Sequence, residues 1–176
     1  MGTRSVVAVR ERDSVEILSA YVHYDGYLSG VGVTLLSEFN SAEGARKVVE
    51  GGYYSSLSEN LEESLSGSAN KEEASVYENM EEFKHDCTHS DWEFAYLYDV
   101  DRDEWLYAKM TGWGDSSDGG FENYWSEFES MSDDVLKDVL ETASRLEGSK
   151  WNGEYDDYVV ELREWATGFI ADSAVN

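Results

Sequence analysis

The chain is 176 residues long, 41% hydrophobic and 14% aromatic, which is enough apolar material to bury a core and excludes a wholly disordered polypeptide. Thirteen Lys and Arg stand against 38 Asp and Glu, a formal net charge of -25. Such a surface repels phosphate backbones and anionic lipid headgroups and favours basic partners, so neither nucleic acid nor membrane is an expected direct ligand. A lone cysteine, Cys87, leaves no internal disulfide, no apolar run approaches the roughly 20 residues of a membrane span, and Met1–Ser5 carries no signal-peptide core. Together these predict a cytoplasmic protein.

Residues 3–9 and 15–24, rich in Val, Ile and Tyr, flank the charged segment Arg10–Ser14 and predict an opening antiparallel hairpin. Asp25–Gly32 follows, with three glycines in a short span, as a shaped loop. An apolar helix is predicted over 31–39, and Asn40 with Glu43 three positions on has the spacing of a capping box for a second helix, ended by Gly51 and Gly52. Leu57, Leu61 and Leu65 recur every fourth residue, and Ala74, Tyr77 and Phe83 continue a weaker helical rhythm to Lys84, interrupted by the polar run Ser64–Lys71.

The aromatic runs Trp92–Tyr98 and Trp105–Met110 enclose Asp99–Glu104 and predict a second hairpin. Gly112–Gly120 reads as a Gly/Ser/Asp loop. Ser132 can cap a helix with Asp133 and Asp134 at its positive end and Gly148 at its stop, and a last helix carries Tyr155, Val159, Leu162, Ala166 and Phe169 on one stripe. The whole predicts one α+β domain over residues 1–176: an antiparallel sheet of about four strands with helices packed on one face, and an acidic helical insertion at about 58–88.

Thr3-Arg4-Ser5, Tyr21-Val22-His23-Tyr24-Asp25-Gly26-Tyr27, Gly30-Val31-Gly32 and Leu35-Leu36, in this order and spacing, resemble a family of small proteins common in tailed phages and prophages. Gly51-Gly52-Tyr53-Tyr54-Ser55-Ser56-Leu57 resembles the glycine-then-Ser-Ser-Leu segment of that family, and the hairpin from Trp92 to Met110 its later Tyr- and Trp-rich strands. Tyr24 stands where members commonly carry Trp, and the acidic stretch Ser58–Lys84 departs from the pattern. The resemblance implies a phage-derived accessory protein acting in a host cell. It carries over no catalytic residue.

Several groupings suggest chemistry. Asp99, Asp101 and Asp103 copy the first acidic positions of a calcium loop, but Glu104 and Met110 stand where glycine and the bidentate Glu belong, which favours a hairpin turn. His85, Cys87 and His89 alternate and would face one way on an extended segment, a zinc-like trio without a fourth ligand. His23, Asp25 and Cys87 offer the residue types of an acid/base and nucleophile set, without a nucleophile elbow, Walker loop or zinc-protease motif to place them. The loop at Asp25–Gly32 precedes a helix, as phosphate-cradling loops do, but lacks their lysine and glycine spacing. No catalytic residue, metal or cofactor is therefore predicted. A metal- or small-ligand-binding protein or enzyme using that loop is the competing class, and an acidic, salt-adapted phage structural or accessory protein is another.

The strongest signal is the placement of carboxylates. Glu59, Glu62, Glu63, Glu72, Glu73, Glu78, Glu81 and Glu82 face only Lys71 and Lys84, and a second tract includes Asp115, Asp118, Glu122, Glu127 and Glu129. Carboxylates on rigid elements reproduce the charge density of duplex DNA, roughly one phosphate per 1.7 Å of axis. These thirteen residues are the predicted partner-binding set of a phage-encoded inhibitor that mimics DNA. Its partner would be a basic, nucleic-acid-binding host protein of defence or transcription, with interleaved Tyr77, Phe83, Trp92, Tyr124, Trp125 and Phe128 as anchors or core.

Overall fold

The computed structural model describes residues 2–67, 72–149 and 153–175, which form two compact units, Met1–Met131 and Ser132–Asn176. The expected opening hairpin is present: β1 (Ser5–Arg10) and β2 (Ile17–Val22) pair antiparallel, Ser5 opposite Val22 and Arg10 opposite Ile17. Asp13 in their turn has φ 55°, a left-handed conformation that a short polar side chain tolerates. Leu28–Gly32 forms a single π-helical turn leading directly into α1 (Val33–Glu38).

α2 (Ala42–Glu50) is capped one residue later than expected. Ser41, not Asn40, is the extended residue whose hydroxyl accepts the Gly44 amide at 3.0 Å. After the short β3 (Tyr53–Tyr54) come α3 (Leu61–Ser66), capped by Asn60, and β4 (Ser75–Tyr77). The helical rhythm read through Ala74 and Tyr77 is therefore corrected to a strand, whose Tyr77 lies opposite Ile17 of β2. Ser68–Lys71 of the expected polar run lie outside the described residues. α4 (Met80–His89) follows, with Asn79 accepting the Glu82 amide at 3.0 Å.

The second hairpin, β5 (Phe94–Asp99) with β6 (Glu104–Asp115), is also as expected. β6 continues through Gly112 and Gly114 to pair with β7 (Phe121–Trp125), so the loop expected from Gly112 is in its first half strand. β8 (Glu129–Ser130) adds to β6 opposite Leu106 and Tyr107.

The expectation of about four antiparallel strands is thus corrected to eight strands, among the described residues, in a mixed sheet ordered β3-β2-β1-β5-β6-β7, with β4 on β2 and β8 on β6. Two pairings are parallel, β1 with β5 and β2 with β3. The first makes β1 the central strand. Its residues Val6, Val7, Ala8 and Val9 are all buried, the continuous apolar run expected of a strand covered on both faces.

Helices lie on both faces of this sheet, not on one. Phe83 and Cys87 of α4 join Val6, Ala8, Ile17, Ala95, Leu97 and Leu106 in one core cluster. Neighbouring residues along a strand point oppositely, so Val7, Val9 and Trp105 face the other side. There the Trp105 indole N–H donates to the carbonyl of Phe39 just after α1 at 3.1 Å, and α2 packs on β1 and β2.

In the second unit α5 (Ser132–Glu147) and α6 (Asp156–Val175) pack on each other. Arg163 donates from Nε and Nη2 to the two oxygens of Glu147 at 2.9 and 2.7 Å, which ties the two helices at the surface. No helix among the described residues is long and apolar enough to cross a membrane.

Candidate functional site

α4 is amphipathic by spacing: Phe83 and Cys87, four residues apart, enter the core, while Glu81, Glu82, His85, Asp86 and His89 remain exposed. The helix touches both β4, beyond β2, and β7, beyond β6, and so lies across one face of the sheet. It carries its carboxylates between the two edges. Lys84 Nζ donates to Glu127 at 3.0 Å and joins the helix to the segment after β7.

Of the thirteen carboxylates named from sequence, twelve are exposed and Glu122 is half-buried. Glu59, Glu62 and Glu63 stand at the start of α3, which packs beside β3 at the β2 edge of the sheet. The Glu72 carbonyl and Glu73 backbone crowd Gly52, next to β3 at the same edge. Glu78, Glu81 and Glu82 occupy the entry of α4, where they complement the positive end of its dipole. Glu82 also accepts the Glu78 amide at 2.6 Å. Asp115, Asp118, Glu122, Glu127 and Glu129 belong to β6, β7, β8 and their connections.

The β6–β7 hairpin is where acidic and aromatic side chains meet in the open. Trp113 is 68% exposed, Phe121 70% and Tyr124 51%. Trp113 and Phe121 contact edge to face with centroids 5.9 Å apart. At the tip, Asp118 Oδ1 accepts from the Ser116 hydroxyl at 2.5 Å and from the Gly120 amide at 3.3 Å, and these bonds hold its carboxyl below the ordinary carboxylate value. Tyr124 lies over Gly112 and Gly114; a Cβ on Gly114 would sit 2.3 Å from the Tyr124 hydroxyl. Gly114 admits the ring.

The interleaved aromatics divide. Tyr77 and Phe83 are core, Trp92, Trp125 and Phe128 are half-buried against it, and Tyr124 is exposed. Trp113 and Phe121, the most exposed rings of this first unit, were not among those anticipated, because a Gly/Ser/Asp-rich segment reads as loop. The signal that finds them is the alternation of Trp113 and Asp115 between glycines.

The competing groupings come apart in the fold. His85, Cys87 and His89 lie on a helix, not an extended segment: the imidazoles stack at 4.2 Å on the exposed face, and Cys87 points into the core. The alternation that made them a trio on a strand separates them at helical period. No cluster of three metal-ligating side chains occurs among the described residues. Burial, reinforced by the Asp86 charge, pushes the Cys87 thiol up to about 12, far from a nucleophile's range.

His23 Nδ1 lies 3.0 Å from the Tyr21 hydroxyl and its ring meets Tyr24 edge to face, while Asp25 accepts from the Tyr27 hydroxyl at 3.2 Å. The glycine loop spends its amides on itself: Gly26 N–H donates to Thr3, Gly30 N–H to Tyr27 and Val31 N–H to Asp25. It is a folded turn. Asp99, Asp101 and Asp103 likewise serve the hairpin, accepting from Arg10, from the Asp13 amide and from the Tyr98 hydroxyl respectively.

A groove of about 270 Å³ separates α4 from β7, lined by Cys87, Thr88, Ala108, Trp125 and Phe128 with Lys84, Glu122 and Glu127 around it. It is apolar at the base and charged around it. Comparison with protein-family models, curated proteins and solved structures finds no match to this chain.

Proposed function

We propose that the chain is an acidic protein-binding module, a phage-encoded inhibitor that occupies the basic, nucleic-acid-binding surface of a host protein in place of DNA or RNA. The observation that carries the reading is the exposed carboxylate set on α3, α4 and the β6–β7 hairpin of one compact unit. Lys84 is held by Glu127 and Arg102 by Glu104, so these cations neutralise single neighbours rather than the field. A net charge of -25 then steers cationic partners at long range, an effect that falls steeply with salt.

The phage setting rests on the resemblance of the first third of the chain. The reading assigns no catalytic step. Cys87 is buried as a thiol, and His23 and Asp25 engage tyrosines.

The experiment is capture from host lysate on immobilised protein at low and high salt, followed by elution with duplex DNA. A basic nucleic-acid-binding protein is expected to be retained at low salt, lost at high salt and released by DNA. The triple change Glu78→Gln, Glu81→Gln and Glu82→Gln is expected to slow association more than it speeds dissociation. Retention that is indifferent to salt, or a captured protein that still binds DNA at full affinity, contradicts the reading.

A further inference from the structure

The register of the β6–β7 hairpin decides which side chains share a face. Asp115 lies directly opposite Phe121, and Trp113 opposite Asn123. Side chains alternate along each strand, so Trp113, Asp115, Phe121 and Asn123 project to one side, and Tyr124 with Glu122 to the other. Asn123 is tied down: its amide donates to the Ser90 carbonyl at the end of α4 at 2.6 Å. The aromatic pair above it is therefore fixed by a strand register, an edge-to-face contact and an anchored base, yet both rings are more than two-thirds exposed.

Two exposed rings in edge-to-face contact match the aromatic enrichment of interface hot spots, which a merely solvated hairpin does not need. The sign of the charge selects the partner. Nucleobase-stacking proteins set such rings in a basic groove, whereas here Asp115 shares their face, Asp118 sits in the turn between the two strands, and the whole chain is anionic. A second copy of the chain would bring like charge against like. A cation with a flat, stackable face fits both components, and among protein side chains that is the arginine guanidinium.

We propose that the Trp113/Phe121 face of the β6–β7 hairpin is an arginine-binding contact surface, on which guanidinium groups of a basic protein partner stack while Asp115 and Asp118 neutralise them. This rests on the charge-directed reading above and deepens it. The carboxylates elsewhere draw in any basic surface, and this face distinguishes arginine from lysine.

The test compares a fluorescent oligoarginine peptide with an oligolysine peptide of equal length, by anisotropy, on the full chain and on the double variant Trp113→Leu/Phe121→Leu. Leucine keeps an apolar side chain on the hairpin and removes the ring faces; far-UV circular dichroism checks that the fold is retained, and the single variant Phe121→Leu serves if the double one is unfolded. Wild type is expected to prefer oligoarginine, and the variant to lose about 5- to 30-fold in oligoarginine affinity, the worth of two exposed cation–π contacts, with oligolysine binding unchanged.

Equal affinities in wild type, or an arginine preference that survives in the variant, overturn the proposal while leaving the charge-directed reading in place. So does a wild-type dimer that the variant dissolves, because the face would then serve self-association. Failure to bind either peptide at low salt overturns both.

Discussion

Cys87 and Glu11 show how one environment fixes the chemistry of a side chain. With its thiol pushed up to about 12 by burial, Cys87 is expected to react with a disulfide reagent at pH 8 about 100- to 1000-fold more slowly in the native protein than in denaturant. Labelling at the unfolded rate would show α4 undocked. Glu11 accepts two bonds from Arg46, at 2.5 and 2.6 Å, which link the β1–β2 turn to α2. The Arg46 hydrogen bond holds Glu11 below its ordinary value of 4.5, against a smaller burial effect. A depressed carboxylate stabilises the fold above its unfolded value and loses that contribution as pH falls through the folded one. Since both side chains are over a third exposed, Glu11→Gln is expected to cost only about 0.5 kcal/mol at pH 7. In urea titrations the difference should vanish well below pH 4.5; a difference that persists there would assign it to packing.

At the scale of elements, α4 concentrates both packing and display. Phe83 is fully buried, stacked 6.2 Å from Phe128 and edge-on to Tyr77 at 5.2 Å. Phe83→Ala is expected to destabilise the protein by about 3–5 kcal/mol in chemical denaturation, and a loss under 1 kcal/mol would place α4 off the sheet. Asn79→Ala should cost about 1 kcal/mol through the lost cap.

The hairpins β1–β2 and β5–β6 were legible because each is two β-branched or aromatic runs around a charged turn. So was α5, to within one residue: Gly148 follows its last residue, and Ser132, read as its cap, is its first helical residue. β4 was not legible, since Ser75-Val76-Tyr77 is too short to outweigh the helical spacing around it. The far half of β6, and with it the pairing to β7, was masked by Gly112 and Gly114, although Gly114 is there to leave room for Tyr124 and not to make a loop. The thirteen exposed or half-buried carboxylates of the proposed surface were readable as charge, but Trp113 and Phe121 became a pair only through strand register.

At the scale of the whole molecule, the net charge of -25 opposes compaction. Raising ionic strength shortens the Debye length from about 30 Å at 0.01 M to about 8 Å at 0.15 M. Screening worth about 1–2 kcal/mol is expected to raise the melting temperature by about 2–8 °C, measured calorimetrically. An unchanged or falling melting temperature would mean that attractive ion pairs such as Arg10–Asp99 dominate the field. The mixed topology was beyond the sequence: local runs specify hairpins, but the parallel pairing of β1 with β5 depends on contacts between distant segments, and so does the placing of helices on both faces.

Because β1 is flanked by β2 on one side and β5 on the other, the middle of the sheet joins Arg10 to Asp99 across 89 positions. During synthesis at about 5–20 residues per second, β1 emerges roughly 4–18 s before its parallel neighbour exists. For that interval a Val-rich strand has one bare edge inside the cell. Its rescue is kinetic: the nascent hairpin must stay out of reach of other chains until the ribosome delivers the strand that closes it.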